Sequence, residues 1–395
     1  MRARDLGLET GLGRPGPLNA ITDVAGVRVG HATLIEGEGP LHIGGGPVRT
    51  GVTVVVPHEG EISEEPLFAG CHTLNGNGEL TGLEWIRESG LLTSPVALTN
   101  THSVGVVRDA LAQREIEARG AGKLFWSLPA VGETWDGCLN DVNGRHVTPT
   151  HVFAALAAAA GGPVPEGNVG GGTGMICHEL KGGCGTASRL AECGAETFTV
   201  GALVQANHGE RARFQVNGVP VGQLLGDEKV PIPVTPEERT AAGADASGPG
   251  GGVRPGGARP AGAGSIIVVV ATDAPLLPVQ LTRLAQRAGL GIALLGACGG
   301  NYSGDLMLAF STANRGLTSM AYGQTEPVRF SVEMLSLTYI DALFEAAVEA
   351  TQEAILNALL QAETTTGRDG VTAYALDGEV LVELLDRYGR RRFRP

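Results

Sequence analysis

Residues 243–264 read GADASGPGGGVRPGGARPAGAG, and SIIVVVAT follows without a break at 265–272. The first stretch carries no hydrophobic period, and glycine, proline and alanine in that mixture do not build a packed element. The second is the most strand-like run in the chain: β-branched residues in an unbroken apolar series, the signature of a strand buried on both faces. The change of character falls between Gly264 and Ser265, and it divides 264 residues from 131.

Two readings fit such a boundary. In one, 243–264 is an interdomain linker and Ser265 is merely the first residue of a strand. In the other, Gly264-Ser265 is a self-cleavage junction. A serine hydroxyl can attack the carbonyl before it, and water then opens the resulting ester. Glycine at the preceding position tolerates the strained geometry of a scissile peptide, since it has no Cβ. Cleavage frees the α-amine of Ser265. An ordinary α-amine, with a pKa of about 7.7–8.0, suits the task of taking a proton from its own hydroxyl near neutrality.

Outward from the junction, strands and helices alternate in blocks. Segments 25–33, 51–56, 96–100 and 197–205 read as strands, as do 211–217 (RARFQVN), ALLG at 293–296 and DLMLAFST at 305–312. Helical spacing marks 79–91, 103–118, 150–160, 277–288 and the long segment 331–361. Asn207-His-Gly-Glu reads as a turn, and the acidic stretches 61–65 and 235–239 as solvated loops. Together these predict α and β in layers.

Composition narrows the classes. Charged residues make up 18% of the chain and hydrophobic ones 43%, which predicts a large buried fraction. A net charge of −13 opposes nucleic-acid binding, which needs a basic face to displace phosphate counterions. The first residues lack the apolar segment of a signal peptide, and no run of about 20 apolar residues occurs, so a cytoplasmic protein without a spanning helix is expected. Six scattered cysteines without a Cys-x-x-Cys pair are expected as free thiols.

Five blocks then stand in order: RDLGLETGLGRPGPLNAITDVAGVRVGH at 4–31, VGETWDGCLND at 131–141, LVQANHG at 203–209, GAGSIIVVVATDAPL at 262–276 and NYSGDLMLAFSTAN at 301–314. Together they resemble the L-aminopeptidase/D-esterase and β-peptidyl aminopeptidase (DmpA-like) family over almost the whole chain. The resemblance implies a four-layer αββα sandwich, also shared with ornithine acetyltransferase. It implies cleavage before Ser265 into parts 1–264 and 265–395 of one domain, 243–264 being a flexible loop before the cut. It also implies homotetramers of the processed unit, acting on small peptides, amides or esters with a free amino group. On this alignment Ser265 is the nucleophile and Asn207 the oxyanion support. Glu133 receives the substrate's amino group, and Ser303 and Asp305 contact the nucleophile and tune its amine.

Those residue types suit those tasks. An amide N–H can donate to a developing alkoxide, and a carboxylate is the natural partner of an α-ammonium. Each also has a plainer reading: Asn207 as a turn residue, Asp305 as a turn cap, Glu133 as an exposed loop charge. Some relatives carry tyrosine two positions after the glutamate, where this chain has Trp135. An indole places its single N–H differently from a phenol, so Trp135 is read as a substrate-contacting pocket wall. Tyr302 stands where a smaller residue is frequent and is expected to narrow the site.

No cofactor and no metal are expected. GGGTG at 170–174 lacks the Gly-Lys-Ser/Thr ending of a phosphate loop and reads as structural packing or a pocket floor. Cys177, His178 and Glu179 are expected to diverge, as neighbours in sequence do, with no second ligand pair at zinc spacing. A G-x-S-x-G elbow is absent. Two further functions remain open to the sequence. One is acyl transfer to an amine, as in ornithine acetyltransferase, whose nucleophile is threonine. The other is a non-enzymatic small-molecule module centred on GGGTG.

Overall fold

The computed structural model describes residues 1–120, 122, 124–226, 230–244 (backbone alone at 241–244), 264–318 and 329–393. Its elements run β1 (Arg28–Glu36), β2 (Val48–Val56), β3 (Leu67–Gly76), α1 (Leu83–Ser89), β4 (Leu91–Leu92), β5 (Val96–Asn100), α2 (Val104–Arg119), β6 (Ala130–Thr134), α3 (Pro149–Ala157), β7 (Ile176–Cys177) and β8 (Leu180–Lys181). They continue with β9 (Gly183–Cys193), β10 (Glu196–Asn207), α4 (Val221–Leu225), α5 (Pro236–Ala244), β11 (Ser265–Thr272), α6 (Pro278–Leu294), β12 (Gly304–Ser311), α7 (Ile340–Leu360) and α8 (Gly378–Arg387).

The run SIIVVVAT is β11, and every residue of it is buried. It lies inside a six-stranded sheet of order β4-β3-β12-β11-β10-β9, antiparallel to β10 and parallel to β12. Successive side chains of a strand point to opposite faces, and here each face meets a different core. Ile266, Val268 and Val270 pack with Leu281, Leu284 and Ala288 of α6 and with Ala347, Ala350 and Ala354 of α7. Ile267, Val269 and Ala271 face the second sheet, of order β1-β2-β5-β6, meeting Val29, Val55, Val96 and Leu98. The outer face of that sheet is covered by α2 and α3 through Val107, Leu111, Val152 and Ala155. The result is the expected four-layer αββα sandwich.

Several local expectations are corrected. RARFQVN is not a strand. Arg211–Arg213 forms a single 3-10 turn, because the buried Arg211 guanidinium donates to the carbonyls of His178, Glu179 and Val230 and curls the chain onto them. ALLG is not a strand either. It ends α6, whose buried residues Leu281, Leu284, Ala285, Ala288 and Ile292 keep a helical period. Leu91 belongs to β4, not to the helix before it. TPEER is no loop: Pro236 opens α5, and the Thr235 hydroxyl and Glu238 carboxylate cap each other's backbone N–H at 3.2 and 2.7 Å. The Gly/Pro tract lies outside the described residues apart from Gly243, Ala244 and Gly264, the first two belonging to α5.

Strands β3, β6 and β9 were not legible. β9 reads GCGTASRLAEC, too small and mixed to show alternation, because α7 presses close on it: a Cβ on Gly185 would stand 2.0 Å from the Ala354 carbonyl. Among the described residues no helix is long and apolar enough to cross a membrane.

Candidate active site

Parallel pairing of β11 with β12 brings the beginnings of both strands to one end of the sheet. Antiparallel pairing brings the end of β10 there as well, so Asn207 lies opposite Ser265 across the ladder. In the other sheet β5 and β6 run parallel and end beside the same place, carrying Thr101 just beyond β5 and Glu133 near the end of β6. Between the two sheet ends opens a cavity of about 750 Å³ whose walls include Ser265, Gly264, Asn207, Glu133, Trp135 and Tyr302.

Ser265 is buried, and its Oγ accepts the backbone N–H of Gly304 at 3.1 Å. That approach needs glycine, since a Cβ at 304 would meet the Asn77 carbonyl at 2.6 Å. Gly264 adopts φ +133, a conformation that L side chains rarely take, and a Cβ there would stand 2.1 Å from the Asn207 carbonyl. The residue before Ser265 therefore has to be glycine on both backbone and packing grounds.

Asn207 is oriented without ambiguity. The Ile176 N–H can only donate, and it donates to Asn207 Oδ1 at 2.7 Å; the Trp135 carbonyl can only accept, and it accepts from Nδ2 at 2.9 Å. The side chain is thereby held in one orientation on the cavity wall, with one of the two Nδ2 protons bonded to that carbonyl. Glu133 is no exposed loop charge. It is buried, its carboxylate accepting the Glu79 N–H at 3.0 Å and the Thr101 hydroxyl. Burial pushes its carboxyl pKa up, partly offset by those two hydrogen bonds. Trp135 and Tyr302 are the exposed rims, at 43% and 52% accessibility.

Ser303 and Asp305 do not line this cavity. They lie behind the nucleophile, flanking Gly304, with His208 and Cys298 around a small void. Ser303 Oγ donates to Asp305 Oδ1 at 2.5 Å. Burial lifts the Asp305 carboxyl to about 6, which the Ser303 hydrogen bond opposes. Sequence reasoning missed Thr101, Glu79, Ile176 and Glu238, each of which reaches the cavity or holds one of its groups. Only Glu238 had a signal, the Thr-x-x-Glu capping pattern before α5.

Two other signals are settled by geometry. Gly170–Gly172 form a buried 3-10 turn outside the cavity wall, with Cβ positions on Gly171 and Gly172 blocked at 2.0 and 2.2 Å by Gln205 and Cys184. GGGTG is close-packed and does not line this cavity. Cys177 and His178 do not diverge as expected: their donor atoms and those of His208 lie within 4.8 Å of one another, all buried. The two share a tight turn in which His178 is left-handed, φ 50, and its N–H donates to the His208 carbonyl at 2.7 Å. Burial lowers His178 to about 4 and raises Cys177 to about 12, so the cluster is neutral near pH 7.

Two packed sheets between helix layers, with a glycine-serine step feeding a central strand at the mouth of a cavity, define the class: a serine hydrolase of the N-terminal-nucleophile fold. The chain belongs to peptidase family S58, which matches residues 19–373. It is 49% identical to the β-peptidyl aminopeptidase BapA of Sphingosinicella microcystinivorans, over 98% of this chain and 93% of that protein. It superposes on a Burkholderia sp. β-aminopeptidase with a TM-score of 0.86 at 49% identity, covering 100% of both chains. It superposes equally on the L-aminopeptidase D-Ala-esterase/amidase of Ochrobactrum anthropi, described as a prototype serine aminopeptidase with a variant Ntn-hydrolase fold. There the TM-score is 0.85 at 43% identity, over 98% of this chain and 99% of that one. By class it is a serine aminopeptidase.

Proposed function

We propose that the chain cleaves itself between Gly264 and Ser265 and then uses Ser265 to release N-terminal residues, β-amino acids included, from small peptides, amides and esters. The observation that carries this is the placing of Ser265 and the Glu133 carboxylate on one cavity wall, with Asn207 beside the serine. In self-cleavage, Ser265 Oγ bonds to the Gly264 carbonyl carbon and the C–N bond breaks, giving an ester and a free α-amine. Water opens the ester, leaving Gly264 as a carboxylate and restoring the hydroxyl.

In turnover the substrate's ammonium pairs with Glu133, which fixes the distance from its terminus to the attacked carbonyl. The freed Ser265 amine takes the hydroxyl proton as Oγ attacks, and Asn207 Nδ2 donates to the oxyanion. The amine then passes the proton to the leaving group, and water hydrolyses the acyl-serine. Asp305, bridged to Ser303, lies behind the serine, where its carboxylate steadies the charge of that amine. An extra backbone carbon is accommodated by shifting the terminus within a cavity of this size, and the relatives' names point the same way. The processed halves stay together, since β11 pairs with β10 and β12 with β3, strands of the other half. Self-association as a tetramer fits the groove of about 950 Å³ that α6, α7, β9 and the segment 11–14 enclose, with Leu12, Leu290 and Leu294 exposed.

Intact mass under denaturing conditions with N-terminal sequencing tests the reading. Two species are expected, one beginning Ser-Ile-Ile-Val-Val. Ser265→Ala should give one uncut species without activity on alanyl or β-alanyl p-nitroanilide. Wild-type turnover by that variant would overturn the mechanism.

A further inference from the structure

Lys181, the last residue of β8, is fully buried, yet among the described residues its hydrogen-bond partners include no acidic side chain. Its ammonium sits among three carbonyls, donating to Gly182 at 2.8 Å, Met175 at 3.0 Å and Gly172 at 3.3 Å. Three donors meet three acceptors, which satisfies the group that burial would otherwise make costly. Burial lowers its pKa to about 7, opposed by the nearby Cys184 and Cys177 sulfurs. Hydrogen bonds from the ammonium to carbonyls favour the charged form.

The Met175 carbonyl and the Ile176 N–H belong to one peptide group, and that N–H donates to Asn207 Oδ1 at 2.7 Å. A continuous chain of hydrogen bonds therefore runs from Lys181 Nζ through the 175–176 peptide to the side-chain amide of Asn207. Each bond in such a chain polarises the next, the more so in a low-dielectric interior. The cage also ties the end of the Gly170–Gly172 turn to the β7–β8 hairpin, and Gly182 N–H donates to the same Met175 oxygen at 2.9 Å, so the peptide plane has little freedom.

We infer that Lys181 is a positioning residue for the reaction: a buried ammonium that acts through the 175–176 peptide to aim and polarise Asn207 toward the oxyanion. This rests on the reading of Asn207 as the oxyanion donor. Lys181 touches neither substrate nor nucleophile, and its positive charge lies three hydrogen bonds behind the negative charge that develops in the transition state, the last being the one from Asn207 itself. The same oxyanion forms when Gly264 is cleaved and when substrate is cleaved, so both rates depend on it.

The test is a double-mutant cycle of Lys181→Met and Asn207→Ala in the full chain. It is read on the first-order rate of self-cleavage, and on kcat and KM of processed enzyme for alanyl p-nitroanilide. Asn207→Ala alone is expected to cost about 10²–10³ in rate, the usual worth of an oxyanion donor. Lys181→Met is expected to lower both rates roughly tenfold with KM unchanged, less than loss of the donor itself. The double variant is expected to match Asn207→Ala, because Lys181 has nothing left to act on.

Lys181→Gln keeps a donor without the charge and is expected to fall between wild type and Lys181→Met. It carries the test if Lys181→Met, with three carbonyls unsatisfied, does not fold by thermal melting. Wild-type rates in the folded Lys181 variants beside an impaired Asn207→Ala overturn the inference alone, as do losses that add in the double variant. Wild-type rates in Asn207→Ala overturn the reading of Asn207 and the inference with it.

Discussion

Asp305 and Glu133 show how environment gives two carboxylates different work. Asp305 sits behind the serine, bonded to the Ser303 hydroxyl, and burial lifts it to about 6. It is ionised above that value and protonated below it, so kcat/KM should fall as pH drops through about 6, beyond any loss due to the α-amine. Asp305→Asn should lower the plateau rate and remove that acid limb, which a pH profile of p-nitroanilide hydrolysis would show. Glu133 is raised as well, by burial first, yet it faces the cavity, where an incoming ammonium replaces lost solvent. Glu133→Gln should raise KM by at least tenfold for substrates with a free amine and leave N-acetylated esters unaffected. Equal effects on both kinds of substrate would deny it the role of ammonium partner.

At the scale of elements, the sheet ends bring the site together and glycines set the spacing between layers. β9 and α7 touch at Gly185, where a Cβ would stand 2.0 Å from the Ala354 carbonyl and 2.6 Å from the Ala358 N–H. A backbone neighbour cannot swing away, so Gly185→Ala must push α7 outward. A loss of about 1–3 kcal/mol is expected from such overpacking, read as a lower melting temperature. The same packing hid β9 from sequence reading, because a strand of glycine, alanine and serine shows no alternation. By contrast β11 was legible at once. A strand buried on both faces is free to be apolar on both, and in β11 that takes the form of an unbroken β-branched run.

Across the whole molecule, the N-terminal segment, β9 and α7 are tied by a buried charge network. Arg189 donates to Glu353 at 2.7 Å and to Glu349 at 2.9 Å, and Arg4 and Asn19 also reach Glu353. Burial alone would raise the Glu353 carboxyl, but the Arg189 and Arg4 guanidiniums overcome it and hold the group below its ordinary value. The folded state then binds fewer protons than the unfolded chain. The stabilisation is full above the unfolded carboxyl's pKa and is lost as pH falls through the lower folded value. Glu353→Gln leaves the buried Arg189 with Glu349 alone as its counter-charge and should cost up to about 3–5 kcal/mol, with a shallower acid dependence of the melting temperature.

The glycine-serine junction, the buried strand after it and the alternation of helix and strand were written in local pattern, so the sequence alone determined the layered α/β class and pointed to Ser265. Asn207, Glu133, Ser303 and Asp305 were reached only through the resemblance of five blocks, because Glu133 stands 74 residues from Asn207 and Asn207 stands 96 from Ser303, and side chains so far apart along the chain have no local signature of meeting. Tertiary structure decided the rest. It put Glu133 in the cavity, set Ser303 and Asp305 behind the serine, and drew Cys177, His178 and His208 into one buried cluster. It also placed Lys181 behind Asn207. The physical reason is that strand period and turn chemistry act over a few residues, whereas a site is made where the ends of separate strands converge, and that convergence depends on the register of sheets packed face to face.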